Sequence, residues 1–362
     1  MDYEGRQAKF QSVLARNHVH GLLVTHPPNI RYLCGFTGSA GALLVTARKT
    51  LLFTDGRYKE QARAEVTACG VLVGRKSPLI AAGQWLKANR KKLGFKLLGI
   101  EAQHLTVAER SQLCNVLRSD VGLRETPALL EQARMVKEEE EISRLRAAVD
   151  LGSSLFEVAL KAIRPGAKEA EVAAEIEYAA RRAGAEGMSF ETIIASGARS
   201  ALPHGRASTA EIPVNGFVVC DFGIILAGYC SDMTRTVHVG KPSDDARKMY
   251  EAVREAQQAA VDRVHPGARV SQVDRAARQV LRSRGLGRYF THSTGHGVGL
   301  EIHEAPRIAA GQAEPLRAGM VVTIEPGVYI PHVGGVRIED MVVVREGGCE
   351  VLTPTIKELI VI

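Results

Sequence analysis

Four short apolar runs in the first hundred residues predict buried β-strands. They are GLLVT (21–25), ALLVT (42–46), LLFTD (51–55) and LLGIE (97–101), and each has the length and composition of a strand inside a core. Helical periodicity falls between or after them, near residues 5–17, 57–67, 78–92 and 106–118. This alternation predicts a smaller α/β domain over residues 1–130.

The hydrophobic pattern changes after residue 130. The segment MVKEEEEISRLRAAVDLGSSLFEVALKAI (135–163) has the periodicity of one long amphipathic helix. Its acidic residues lie in the first turns, where the helix dipole favours negative charge. We therefore predict a second domain over residues 131–362.

The second domain contains a weak internal repeat with an offset of 101 residues. Residues 163–167 (IRPGA) recur as residues 264–268 (VHPGA), and the same offset aligns Gly184 with Gly285. Two similar halves are expected, each with paired helices, a Pro-Gly-Ala turn and strands. We predict that the strands of both halves meet in one sheet with helices on one side. The junction between the halves is a natural place for a site.

Composition restricts the environment and the partners. The chain has 362 residues, a net charge of +7 and six scattered cysteines, so we expect reduced thiols and a cytoplasmic location. No apolar run is long enough to span a membrane, and the amino-terminal segment lacks the apolar region of a secretory signal. Residues 1–131 hold 19 basic and 10 acidic side chains. Without interleaved aromatic residues for base stacking, this excess favours a solvated surface over a nucleic-acid partner.

Two acidic residues lie in the predicted hairpin VVCDFGIILAGYCSDMTRTVHV (218–239). A turn centred between Leu226 and Ala227 would place Asp221 opposite Asp232 on one face. Buried carboxylates that face each other need a cation. Alternatively, the two acids are exposed, or they pair with Arg235.

Three histidines follow in the glycine-rich segment HSTGHGVGLEIHEAP (292–306). His292 and His296 have helical spacing, but Gly295, Gly297 and Gly299 and the absence of an H-E-x-x-H motif argue against a zinc-binding helix. We expect His292, His296 and His303 to project from a loop or short strand around a pocket.

Two glutamates lie in TIEPGVYI (323–330) and GGVRIEDMVVV (334–344). Glu325 ends an apolar run, and Arg337 and Glu339 point to the same face of an extended strand. Each glutamate could instead be the ion-pair partner of Arg337.

Taken together, these motifs resemble the M24-type metallopeptidases that include methionine aminopeptidase, aminopeptidase P and prolidase. The resemblance covers about residues 137–350, and the first domain looks like the creatinase-type domain of the proline-specific branch. It implies an α+β protein with a carboxy-terminal pita-bread domain. It also implies two divalent ions (Mn, Co, Zn or Fe): Asp221 binds one, His296 and Glu325 bind the other, and Asp232 and Glu339 bridge them.

The resemblance implies roles for other residues as well. Glu325 would also accept a proton from the attacking water, and Arg337 would orient Glu339 or contact substrate. His204 in LPHGRAS, His292 and His303 match substrate-side histidines of the proline-specific branch. The implied reaction is hydrolysis of the bond between an N-terminal residue and proline, in a dipeptide or a longer peptide. A homodimer is expected.

Three alternatives remain at this point. A creatinase-like enzyme would act on a guanidino compound without metal, and a methionine aminopeptidase usually lacks the first domain. A non-catalytic pita-bread module would bind peptide or nucleic acid. The five ligand positions argue against the first and third, because such relatives have typically lost ligands. His204 and the VRIED motif argue for the proline branch over methionine aminopeptidase.

Overall fold

The computed structural model describes all 362 residues, which divide into two compact units, Met1–Arg134 and Met135–Ile362. The first unit contains six helices: α1 (Tyr3–Arg16), α2 (Pro27–Cys34), α3 (Lys59–Glu65), α4 (Pro78–Leu93), α5 (Val107–Leu117) and α6 (Leu129–Arg134). Its strands are β1 (Gly21–Val24), β2 (Gly41–Thr46), β3 (Thr50–Asp55), β4 (Gly70–Gly74), β5 (Leu97–Glu101) and β6 (Gly122–Thr126).

The six strands form one mixed sheet in the order β4-β3-β2-β1-β5-β6. The four strands predicted from apolar runs occupy its centre, where nearly all of their side chains are buried. The two strands that were not predicted, β4 and β6, lie at the edges and are largely exposed. The side chains of these edge strands are largely in contact with solvent, so the strands lack the continuous apolar run by which a buried strand is recognised.

The second unit also mixes helices and strands. Its helices are α7 (Glu139–Ser154), α8 (Phe156–Ala162), α9 (Glu169–Arg182), α10 (Asp244–Val261) and α11 (Val270–Ser283). Its strands are β7 (Gly187–Met188), β8 (Ile193–Ser196), β9 (Gly216–Phe222), β10 (Ile224–Leu226), β11 (Tyr229–Cys230), β12 (Met233–Val239), β13 (Gly295–Gly297), β14 (Glu304–Ile308), β15 (Val321–Ile324), β16 (Gly327–Ile330), β17 (Gly334–Arg337), β18 (Asp340–Arg345) and β19 (Gly348–Val351).

The internal repeat is present in the fold. Helices α9 and α11 begin and end at positions 101 residues apart. Before them, Gly166 and Gly267 adopt φ values of +80° and +84°, which the turn requires and which glycine adopts without strain. Gly184 and Gly285 follow the two helices with φ values of +97° and +72°, as in a common helix termination.

Two predictions about this unit are wrong in detail. The long helix predicted over 135–163 begins only at Glu139 and breaks at Leu155. Glu138 and Glu141 form a reciprocal capping box that fixes this beginning, and Val136 pairs with Met320 as an isolated bridge.

The strands also form four separate sheets instead of one. Their orders are β11-β10-β7, β12-β9-β8, β14-β13-β15-β18-β19 and β16-β17. Pro326 separates β15 from β16, and proline has no N–H with which to continue a ladder.

Each half packs its helices against one face of its strands. One apolar cluster joins α9 to β9 and β12, and a second joins α10 and α11 to β15 and β18. Because side chains alternate along a strand, the residues between these buried positions face the other way. The candidate site lies on that second face. None of the helices is both long and apolar enough to cross a membrane.

Candidate metal centre

Strand alternation places the acidic residues on the face away from the helices. In β9, Val218, Cys220 and Phe222 pack against α9, so Asp221 points to the opposite side. In the same way, Ile338 and Val342 belong to the helix-packed core, and Glu339 between them points to the cavity. The five candidate ligands, Asp221, Asp232, His296, Glu325 and Glu339, all line one cavity.

The hairpin register differs from the prediction by two residues. Asp221 lies opposite Thr234, not opposite Asp232. Ala227 and Gly228 have φ values of +49° and +81°, so the turn is centred between them and the pairing shifts accordingly. Asp232 is two positions from Thr234 and therefore remains on the same face as Asp221, as a diagonal neighbour.

His296 projects from the short strand β13, as expected from a segment too rich in glycine for a helix. An ideal Cβ on Gly295 would lie 1.9 Å from the carbonyl oxygen of Thr323, so only glycine allows this approach of backbones. The Nδ1 atom of His296 is 3.0 Å from the carbonyl oxygen of Gly297. Since a carbonyl only accepts, Nδ1 carries the hydrogen, and Nε2 is left with a lone pair.

That lone pair faces carboxylates. Nε2 of His296 is 3.5 Å from a carboxylate oxygen of Asp232 and 3.7 Å from one of Glu325. Burial lowers the pKa of His296 to about 4, so the ring is neutral at pH 7. A lone pair directed at carboxylates in this way is the arrangement that a cation satisfies.

The carboxylates themselves lack sufficient counter-charge. Burial, reinforced by neighbouring acids, raises the pKa of Asp232 and of Glu339 well above their ordinary values. Burial also raises the pKa of Glu325 to about 8. Oδ1 of Asp221 is buried with no hydrogen-bond partner.

The donor atoms converge on one point. Ligand atoms of Asp232, His296 and Glu339 all lie within 4.8 Å of one another. Oxygen donors with one imidazole suit divalent ions of the first transition row. The residues present therefore fit a divalent metal.

Neither of the two buried arginines of this region neutralises the whole cluster. Arg235 pairs with Asp340 at 2.7 Å, away from the candidate ligands. Arg337 forms an ion pair with Asp221 and not with either glutamate. The alternative in which the acids are merely arginine partners therefore accounts for Asp221 alone.

A hydrogen-bond network joins Arg337 to both sides of the site. Its Nε donates to the hydroxyl of Thr234 at 3.1 Å, and that hydroxyl donates to Glu339 at 2.7 Å. Its NH1 donates to the hydroxyl of Tyr329 at 2.7 Å, and Nε2 of His292 lies 2.8 Å from the same hydroxyl. Burial lowers the pKa of His292 to about 4, so this neutral ring accepts from Tyr329. Tyr329 was not among the residues predicted from the sequence.

The cavity around the acids has a volume of about 740 Å³. His204, His292 and His303 line it together with apolar residues, among them Phe190, Ile193, Pro203 and Ile302. The ring of His303 packs edge-on against that of His296 with centroids 4.4 Å apart, and burial lowers the pKa of His303. The three predicted substrate-side histidines are thus close to the candidate metal centre.

Arg307 is a second cavity residue that was not predicted. It lies on β14, opposite His296 on β13, so both side chains emerge on the same face. Its side chain is exposed and lines the cavity. Only the strand pairing reveals this proximity, because no metal or catalytic motif includes Arg307.

Comparison with known proteins identifies the family. Residues 143–346 match the model of metallopeptidase family M24, and residues 6–136 match that of the creatinase/prolidase N-terminal domain. An Xaa-Pro dipeptidase from Pyrococcus horikoshii is 38% identical over 355 residues, which cover 97% of each chain.

Solved structures agree with these matches. The structure of an Xaa-Pro dipeptidase from Bacillus anthracis superposes with a TM-score of 0.95 at 39% identity, over 99% of this chain and 100% of that one. An X-Pro aminopeptidase from Thermotoga maritima gives 0.90 at 34% identity, with the same coverage. The predicted architecture, a creatinase-type domain followed by a pita-bread domain, is confirmed. The chain belongs to metallopeptidase family M24.

Proposed function

We propose that this protein is an Xaa-Pro dipeptidase that uses two divalent ions. The observation that carries the proposal is the convergence of Asp232, His296 and Glu339 beside buried Asp221 and half-buried Glu325. Relatives named Xaa-Pro dipeptidase at 38% and 39% identity support the same reaction. Mn²⁺, Co²⁺, Zn²⁺ and Fe²⁺ all suit this donor set.

The five candidate ligands would bind the two ions in different ways. Asp221 would bind one ion, His296 and Glu325 the other, and Asp232 and Glu339 both. When bound, the ions would act as Lewis acids that activate water and polarise the scissile carbonyl. Thr234 and Arg337 hold Glu339 and Asp221 in place through the contacts described above.

Proton transfer falls to Glu325. Its side chain lines the cavity, and its backbone N–H is fixed by a 2.7 Å bond to the carbonyl of Thr294. We assign it the proton of the attacking water. His303 would donate to the developing oxyanion.

The cavity offers a surface for the proline ring. Proline lacks an amide N–H, so recognition relies on shape and apolar contact. Phe190, Ile193 and Ile302 supply apolar surface beside His204 and His292. His292 is held rigidly by its bonds to Ser293 and Tyr329, which favours a fitted pocket.

Arg307 offers a reason for dipeptide preference. A dipeptide ends in a free carboxylate immediately after proline, whereas a longer peptide has a neutral amide there. The exposed guanidinium of Arg307 is available to that carboxylate, because it forms no ion pair in the structure.

Chelation tests the metal requirement. We expect protein stripped by exhaustive chelation to lose hydrolysis of Ala-Pro and to recover it with Mn²⁺ or Co²⁺. Full activity in the stripped protein would contradict the proposal.

The second candidate function is an Xaa-Pro aminopeptidase, which the resemblance to the Thermotoga maritima enzyme supports. Parallel assays of Ala-Pro and Ala-Pro-Ala distinguish a dipeptidase from an aminopeptidase.

The domain assignment is part of the proposal. We assign catalysis to residues 131–362 and a creatinase-type N-terminal domain to residues 1–130, since every residue given a role here lies at position 190 or later. The cytoplasmic location and the homodimer stay predictions from the sequence.

A further inference from the structure

The segment that carries His204 is long and contains little regular structure. Residues 197–208, here called the His204 segment, contain one short 3-10 turn (Gly197–Ala201) and no strand. His204 itself is exposed at the cavity. The backbone hydrogen bonds around His204 are local, from Gly205 to Leu202 and from Arg206 to His204, so contacts with other elements are needed to hold His204 against the cavity.

One buried carboxylate binds both ends of this segment. Glu169 is fully buried. Its Oε1 accepts from the backbone N–H and the hydroxyl of Ser196, at 2.8 and 2.9 Å. Its Oε2 accepts from the N–H and the hydroxyl of Ser208, at 3.2 and 2.7 Å. One side chain thus joins the residue before the segment to the residue at its end.

Arg199 adds a third connection. Its Nε lies 3.2 and 3.0 Å from the two oxygens of Glu169, and its NH2 donates to the carbonyl of Arg206 at 2.9 Å. The ion pair therefore reaches across the segment to within two residues of His204. On the opposite side, NH1 of Arg337 donates to the carbonyl of Pro203 at 3.0 Å.

Helix capping does not explain this arrangement. Glu169 is the first residue of α9, and an acid there usually interacts with the free N–H groups of its own helix. Here the donors to its carboxylate come from Ser196, Arg199 and Ser208, and none comes from α9. The carboxylate therefore binds the His204 segment and does not cap the helix.

We infer that Glu169, together with Arg199 and Ser208, is a positioning residue that fixes His204 against the substrate. The inference rests on the proposed function, because it requires His204 to act on an Xaa-Pro substrate. Glu169 lines no part of the cavity and acts only through the segment. Misplacement of a substrate-side group by about 1 Å can reduce the rate about 100-fold.

A double-mutant cycle with Ala-Pro as substrate and Mn²⁺ as metal tests the inference. We expect Glu169→Gln to lower kcat/KM about 10- to 100-fold, with two Mn²⁺ per chain retained. In a His204→Ala background the same change should leave kcat/KM unaltered, since no imidazole remains to be positioned. Glu177→Gln is the matched control, because Glu177 is an exposed acid of the same helix, and we expect it to leave kcat/KM unchanged.

A milder variant covers the case in which Glu169→Gln fails to fold. Ser208→Ala removes one hydroxyl donor from a half-buried residue, and we expect a smaller loss of kcat/KM that also disappears in the His204→Ala background. Equal losses in both backgrounds, or an unaltered kcat/KM in His204→Ala alone, would overturn the inference. Failure of the wild-type protein to cleave Ala-Pro would instead overturn the proposed function.

Discussion

At the scale of single residues, the cavity holds more buried negative charge than its buried arginine, Arg337, can offset. Asp232 and Glu339 are 4% and 2% exposed, and the only ion pair of Arg337 is with Asp221. A buried carboxylate without a cation costs several kilocalories per mole or takes up a proton. We interpret this excess as the signature of a metal centre.

Removal of a bridging ligand should remove metal. We expect Glu339→Ala to bind one ion or none and to lose activity by more than about 100-fold. Residues that only contact a metal ligand change activity about 10- to 100-fold, and loss of a residue that would bind the metal directly should cost more. Elemental analysis of the purified variant measures this directly. Glu346→Ala, at an exposed turn, should keep two ions. Two ions per chain in Glu339→Ala would count against the ligand assignment.

The role of Arg307 in substrate choice can be measured separately. We expect Arg307→Ala to raise KM for Ala-Pro about tenfold or more, the equivalent of a charge-assisted hydrogen bond of about 1.5 kcal/mol. KM for Ala-Pro-amide, which has no terminal carboxylate, should change little. Equal increases in KM for both substrates would show that Arg307 does not recognise the carboxylate.

The candidate ligands and Arg337 could be proposed from the sequence, but Tyr329 and Glu169 could not. Asp221, Asp232 and Glu339 lie in motifs whose order and spacing are specific. Tyr329 and Glu169 belong to no such motif, and their importance depends on contacts with residues up to 39 positions away. Such contacts follow from tertiary structure, which local pattern does not contain.

At the scale of elements, the repeated turn and helix were predictable because both copies need the same left-handed glycines. The hairpin register was wrong because Ala227 has a positive φ, which only a few per cent of residues other than glycine adopt. The break in the helix at Leu155 could not be predicted either, since the apolar periodicity continues through it. The local sequence pattern predicted the type of an element better than its boundaries.

The close packing of β13 can be tested with a glycine pair. A Cβ on Gly295 would lie 1.9 Å from a backbone oxygen, whereas one on Gly348 would meet no atom within 4 Å. We expect Gly295→Ala to lower the free energy of unfolding by about 1–3 kcal/mol and to weaken metal binding through His296. Gly348→Ala, in the same sheet, should be nearly neutral. Equal stabilities in urea titrations of the two variants would contradict this account.

At the scale of the whole molecule, metal binding should stabilise the fold. The candidate ligands come from both halves of the second unit, so the ions would connect strands that are far apart in sequence. A ligand that binds only the native state stabilises it by about 2.7 kcal/mol at 100 times its Kd.

Calorimetry tests this linkage. We expect Mn²⁺ to raise the Tm of the metal-free wild-type protein and to raise the Tm of Glu339→Ala less or not at all, because that variant binds one ion or none. A similar rise in both proteins would place the stabilising ion elsewhere.

The most direct test of the central claim is a crystal structure of the Mn²⁺-loaded protein with an anomalous difference map at the manganese edge. We predict two peaks in the cavity, both within bonding distance of Asp232 and Glu339, one also bound by Asp221 and the other by His296 and Glu325. No peak among these five residues, at full occupancy of Mn²⁺ by elemental analysis, would contradict the account.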